Sequence, residues 1–331
     1  MLSGELVVSG FHFDPVIGTD WIVEEPDQWL LSYAALAQEL GVSVFINHPE
    51  REGERCFNTL FDFDASGTMC GKHRKLCVTP IIEAWSTPGE DIQPVMVDGV
   101  SVGLLVCADA YPPGIVTCLK ALGAEVLLSS AAWHPGEWGP SGEWQARSGK
   151  TQLPLIVCNR TGVDADVSFS DSESVLVKAG RRIETTLRND NATVFLVDLE
   201  LTSEGSSLTL VDQQPFDSGH DASHPNQRCR HCPPAGIGCE TGLLGRGWPS
   251  GTQLLLGRIR AVSTAIATAV AAGQKCRGRQ YLVAGVRIQI GNLSNLHRTP
   301  VFDHRRRRNG RLAPFVTRDH REHPARRADR E

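Results

Sequence analysis

Residues 95–129 place a tight constraint on the fold. Residues 95–97 and 101–107 are apolar runs on either side of Asp98-Gly99, a dipeptide that favours a two-residue hairpin turn. Ile115, Val116, Leu119 and Leu122 then recur at helical spacing up to a stop at Gly123, and residues 125–129 form a second apolar run. Strand, helix and strand in that order make a crossover, and a crossover commits the chain to a sheet with parallel neighbours covered on both faces.

The chain up to Leu199 continues in the same way. Trp29, Leu30, Tyr33, Leu36, Ala37 and Leu40 mark an amphipathic helix over residues 27–40 that Gly41 ends. Residues 42–46 and 56–64 read as strands, the second alternating and closed by the turn 65–68, with a return toward Gly71-Lys72-His73-Arg74-Lys75. Residues 143–153 are helix-compatible, and residues 155–158, 174–178 and 192–199 read as strands, the last two around Ala179-Gly180. Helices alternating with strands point to an α/β layered domain rather than an all-β sandwich.

Composition then divides the chain. From Asp221 onward there are 20 Lys+Arg against 7 Asp+Glu, and 19 of the 20 are Arg; the first 220 residues hold 13 against 31. The net charge of -5 over all 331 residues hides that break. Beyond Leu201 the periodicity fails. Residues 254–272 keep a helical apolar stretch and 281–290 could be a strand, but Pro233-Pro234 and the run His304-Arg305-Arg306-Arg307-Arg308 stand among scattered Gly and Arg. Two regions are expected: residues 1–200 as the folded domain, and residues 201–331 as a basic tail, largely disordered or the product of a frameshift or fusion. Cys229, Cys232 and Cys239 open a C-x2-C pattern that no second pair completes, so no metal is expected. Without a reading helix or an aromatic platform, the tail is not expected to bind nucleic acid.

Ten cysteines at irregular spacing and no secretory leader argue for a reducing cytoplasm. No apolar run approaches the roughly 18 residues of a spanning helix, so no membrane partner is expected.

A cysteine closing an apolar strand is commonly a small core residue. Cys107 stands out because Ala108-Asp109-Ala110-Tyr111-Pro112-Pro113 follows it directly, at a strand-to-loop switch where α/β sheets bind ligands. A thiol nucleophile there needs a nearby cation and a base.

Three segments, in order, resemble the carbon-nitrogen hydrolases of the nitrilase superfamily. They are Glu5-Leu6-Val7-Val8-Ser9-Gly10-Phe11, Gly71-Lys72-His73-Arg74-Lys75-Leu76, and Gly103-Leu104-Leu105-Val106-Cys107-Ala108-Asp109 with Pro112. Pro49-Glu50-Arg51 with Asn58, and Asn159-Arg160-Thr161-Gly162, support them. The resemblance implies a four-layer αββα sandwich and a Glu-Lys-Cys triad without a cofactor. Glu5 would be the general base, Cys107 the nucleophile, and Lys75 with the backbone N–H of Ala108 the oxyanion donors. Glu83, before Pro88-Gly89, is similar to the family's additional carboxylate that orients the amide and the Lys, and Trp133 and His134 are candidates to line the pocket.

Asp109, two residues after the nucleophile, resembles the amidase and carbamoylase branches. A linear amide or carbamoyl substrate is therefore expected ahead of a nitrile. Ala110 and Tyr111 stand where carbamoylases tend to carry an Arg for a substrate carboxylate. The resemblance further implies a homodimer or larger homo-oligomer. It also implies a strand and a helix ahead of the catalytic Glu, where only four residues stand here, so the domain is expected to be N-terminally incomplete. The competing expectation is a non-catalytic protein of the same fold whose basic tail binds acidic partners.

Overall fold

The structure is a computed structural model describing residues 1–24, 27–137, 139–164, 166–183, 187–188, 193–202, 205–215 and 283–290. The cysteines of the C-x2-C pattern, the apolar stretch 254–272 and the arginine run lie outside the described residues.

Two sheets carry the fold. In chain order their strands are β1 Leu2–Ser3, β2 Val44–Glu52, β3 Arg55–Phe63, β4 Met69–Arg74, β5 Val95–Val97, β6 Val100–Val106, β7 Val126–Ala131 and β8 Leu155–Asn159. After the short pair β9 Val163–Asp164 and β10 Val167–Ser168 come β11 Glu173–Lys178, β12 Arg181–Arg182, β13 Leu187–Arg188, β14 Thr193–Thr202, β15 Gly205–Pro215 and β16 Val283–Ile290. The first sheet runs β15-β14-β16-β1-β2-β3-β4 and the second β12-β11-β8-β7-β6-β5, with β13 also on β11. The expected crossover is present: β6, β7 and β8 are parallel neighbours, and α3 (Pro113–Ala121) joins the first two.

One apolar cluster joins the inner faces, with Leu2, Phe45 and Leu60 of the first sheet packed among Val102, Leu104, Leu128 and Val157 of the second. Helices cover the outsides. After a short helix α1 (Asp14–Ile17), α2 (Gln28–Leu40) lays Leu30, Tyr33 and Ala37 on Val44, Ile46, Phe61 and Phe63. On the second sheet Ile115, Val116 and Leu119 of α3 and Trp144 of α4 (Glu143–Thr151) join the main core. This is the helix, sheet, sheet, helix layering of an α/β sandwich.

Local signals account for the element ends. Asp27 caps α2 by accepting from the Leu30 N–H at 2.8 Å, and Gly41 closes it at φ 60°. Asp98 and Gly99 sit at φ 50° and 83°, the paired left-handed conformation of a type I′ hairpin.

One expectation needs correction. The strands at 173–178 and 193–202 are not partners around Ala179-Gly180: that turn leads into β12, and β14 lies in the other sheet. Although its sequence alternates, β3 is buried throughout Cys56–Phe63, polar residues included. Its outer side lies under α2 and its inner side faces the second sheet. Two strands beyond residue 200 extend the first sheet, β15 beside β14 and β16 between β14 and β1.

Candidate active site

Segments from both sheets bring Glu5, Lys75, Glu83 and Cys107 to one buried place. Glu5 follows the two-residue β1 and is tied across the sandwich by its N–H to the Ala131 carbonyl at 3.1 Å. Leu6, next to it, takes a left-handed backbone (φ 48°) and donates its N–H to Asn47 Oδ1 at 2.7 Å. Arg160 is buried beneath this turn. It donates to the Leu6 carbonyl at 3.2 Å and pairs with Asp164 at 3.0 Å.

Lys75 follows β4, its N–H donating to the Asn58 carbonyl at 2.8 Å. Its Nζ lies 2.8 Å from Glu5 Oε1 and 2.6 Å from Glu83 Oε2. Asn58 Nδ2 completes the bridge, donating to Glu5 Oε1 and Glu83 Oε1 at 2.8 Å each. Glu5 Oε2 accepts from the Ala132 N–H at 2.8 Å, and Glu83 Oε2 from the Thr79 N–H at 3.3 Å. One ammonium and one amide thus sit between two carboxylates, all buried.

Cys107 opens a 3-10 turn, Cys107–Ala110, at the end of β6, with φ 47°. That conformation is costly for a residue with a Cβ and turns the chain sharply at the thiol. Burial pushes the thiol well above its ordinary range. The Glu5 and Glu83 charges push it the same way, while Lys75 and the Ala132 N–H pull it down. Burial likewise raises Glu5, aided by Glu83 and opposed by Lys75. For Lys75 burial acts to lower the value, yet the charges of Glu5 and Glu83 prevail and hold the ammonium protonated.

Ala108, directly after Cys107, is buried. Trp133, two residues beyond β7, donates its N–H to Asn159 Oδ1 at 2.9 Å, and its ring packs edge-to-face on Tyr111 (4.8 Å) and Trp144 (5.1 Å). Tyr111 is half-exposed beside it. His134 packs on Phe169 at 5.9 Å. Arg74 turns to the outer side, over the Phe57 ring at 3.8 Å, and binds Glu50 and Glu52.

The sequence placed Asn58 only as a supporting residue and Asp109 only as a marker of substrate branch, and it gave His73 no role. Asn58 is a donor to both carboxylates, and Asp109 and His73 are buried hydrogen-bonding partners at 2.8 Å. Among the described residues no group of three or more His, Cys, Asp or Glu is arranged to hold a metal ion, and no helix is long and apolar enough to cross a membrane.

The sequence profile of the carbon-nitrogen hydrolases matches residues 4–204. The chain belongs to that family. It is similar to a hydrolase encoded in the pqqF 5′ region of Pseudomonas protegens, 26% identical over 188 residues that span 55% of this chain and 66% of that protein. An (R)-stereoselective amidase of a Pseudomonas species is 28% identical over 192 residues, covering 56% of this chain and 69% of the relative. Among solved structures, a variant of the amidase from Nesterenkonia sp. AN1, in which acrylamide has added to the active-site cysteine, aligns with a TM-score of 0.52 at 25% identity. It covers 64% of this chain and 78% of that one. The carbon-nitrogen hydrolase chain described here has the α/β sandwich of these nitrilase-superfamily neighbours.

Proposed function

We propose that this protein hydrolyses a linear amide or carbamoyl carbon-nitrogen bond through a covalent thioester at Cys107, with Glu5 as base and Lys75 as oxyanion donor. The observation that carries the reading is the buried cluster of Lys75 bonded to both Glu5 and Glu83, under the charge influence of which the Cys107 thiol lies.

The electrostatics favour one order of events. A thiol raised by burial and by two carboxylates holds no standing thiolate, so attack must be coupled to proton removal. Glu5, itself raised by burial, is a carboxylate suited to take that proton. As Sγ bonds to the carbonyl carbon, negative charge grows on the oxygen, and the Lys75 ammonium and the Ala108 N–H stabilise it. Collapse breaks the C–N bond, and the leaving nitrogen takes the proton from Glu5, departing as ammonia from a primary amide. Water then gives its proton to Glu5 and attacks the thioester, expelling the thiolate, which recovers that proton as the acid leaves. Glu83 orients Lys75 and the substrate amide, and Trp133 with Tyr111 supplies an aromatic wall.

Similarity to amidases supports an amide ahead of a nitrile. The six described cysteines are free, in keeping with a reducing cytoplasm, and a homo-oligomer belongs to the same reading. The test is to incubate the protein with short amides and the matching nitriles, follow ammonia, and trap the acyl-enzyme for mass spectrometry. Ammonia from amides and an acyl mass on the Cys107 peptide are expected. An adduct elsewhere, or nitrile turnover without amide turnover, overturns the proposal.

A further inference from the structure

Lys75 and Cys107 belong to different sheets: Lys75 follows β4 of the first and Cys107 follows β6 of the second. Backbone ladders do not cross between stacked sheets, so some other contact must set the ammonium against the thiol. Asp109 makes that contact. Its Oδ1 accepts the N–H groups of Leu76 (2.9 Å) and Cys77 (2.8 Å), the two residues after Lys75. Its Oδ2 accepts the N–H of Val106 (2.9 Å), the residue before Cys107, and meets His73 Nε2 at 2.8 Å. Both side chains are buried.

We infer that Asp109, held by His73, is a positioning residue that fixes the Lys75 segment against the Cys107 turn. The inference rests on the roles proposed above for Lys75 and Cys107. Three of its partners are backbone N–H groups next to those two residues, so the carboxylate is a rivet between the segments rather than a group that meets substrate. The Val106 bond also closes the turn that holds Cys107 in its costly left-handed conformation. His73 supplies a buried imidazole donor. It lies on β4 between Lys72 and Arg74, whose side chains go to Glu50, so His73 points the opposite way, toward the second sheet. Burial pushes the Asp109 carboxyl up, but the His73 bond and charge and the backbone N–H groups outweigh it and keep the group ionised.

The hydrogen bond can be separated from the packing. In the full chain His73→Gln keeps an N–H donor near the position of Nε2, and His73→Phe keeps a ring of similar size without a donor. Asp109→Asn puts an amide NH2 where two donors already point. Two readouts are needed: kcat and KM on a short amide, and the rate at which iodoacetamide alkylates Cys107, followed on its own peptide by mass spectrometry. His73→Phe should lose about 10²-fold in kcat with KM changed less than about threefold, the signature of misplaced rather than unbound groups. Alkylation of Cys107 should change with it, while His73→Gln stays near wild type on both readouts. Wild-type kcat and alkylation in His73→Phe overturn the inference and leave the amidase reading standing. Absent amide turnover in the wild type, with alkylation altered by His73→Phe but not by His73→Gln, supports the clamp and removes the amidase reading. Should Asp109→Asn not fold, the His73 pair still decides.

Discussion

Replacing Asn58 by Leu tests whether the carboxylate pair depends on the amide between them. Asn58 Nδ2 donates to Glu5 Oε1 and Glu83 Oε1, both at 2.8 Å and both in the interior. Two hydrogen bonds to charged groups, at about 1.5–3 kcal/mol each, set a gross loss of about 3–6 kcal/mol. Asn58 Oδ1 has no partner, and Leu removes that unsatisfied acceptor too, an offset of about 1–3 kcal/mol. Taken at the midpoints of those ranges, the net loss is about 2–3 kcal/mol, which for a domain of about 200 residues lowers the melting temperature by about 5–10 °C. The second consequence is chemical. The Asn58 bond lowers Glu5, which burial has raised, so Leu raises Glu5 further. Glu5 must be ionised to take a proton, and the acid limb of kcat/KM therefore moves to higher pH. Thermal melts and a pH-rate profile measure the two effects. A melting temperature within about 2 °C of wild type and an unmoved acid limb would refute the reasoning, which requires both to shift.

Cys107→Ala should abolish amide hydrolysis, by at least about 10³-fold, with an unchanged melting profile, since a buried thiol and a methyl group differ little in packing. Lys75→Ala should cost about 10²–10³-fold in kcat and also destabilise, because two buried carboxylates lose their counter-ion. Arg74→Ala, which removes a cation stacked on Phe57 outside the site, should leave kcat within about threefold, and equal losses in turnover for the adjacent pair would contradict the assignment. Asp62 is buried with both oxygens unpartnered, and burial, with Asp64 and Asp98, raises it to about 7 against the pull of the Met1 amine. A carboxyl raised on folding stabilises below its unfolded value and loses that contribution as pH rises through the folded one, so Asp62→Asn should melt higher than wild type at pH 8 and not at pH 3. Melts at the two pH values that differ from wild type by the same amount would count against it.

What could be read from the sequence was local. The α2 cap at Asp27 and Gly41, the type I′ turn at Asp98-Gly99, the crossover through α3 and the strand-end place of Cys107 are each encoded within a few residues, and each is present. The partner of β14 was not readable at Ala179-Gly180, because a turn fixes only the strand that follows at once, and that strand is β12. Asn58 and Asp62 fall on one face of β3 and Thr59 on the other, and all three are buried. Alternation reports polarity; whether the polar side is wet depends on what is laid over it.

The same reasoning explains why Glu5, Lys75 and Cys107 could be singled out as candidates and their surroundings could not. All three candidates belong to short motifs that local chain geometry must present, so residue type and order mark them. Their burial is a non-local problem: each charge leaves water only if donors fill its oxygens. Glu5 draws on Asn58, Lys75 and Ala132, Glu83 on Asn58, Lys75 and Thr79, and Asp109 on His73, Leu76, Cys77 and Val106. Several of these donors are backbone groups, whose side chains need no particular chemistry and so leave no mark in the sequence. The donors that do leave one, Asn58 and His73, sit on strands where polar residues are usually solvated. A buried polar side chain on such a strand is informative only once the opposite sheet is in place, and here the opposite sheet brings the Cys107 turn and Asp109 to meet them.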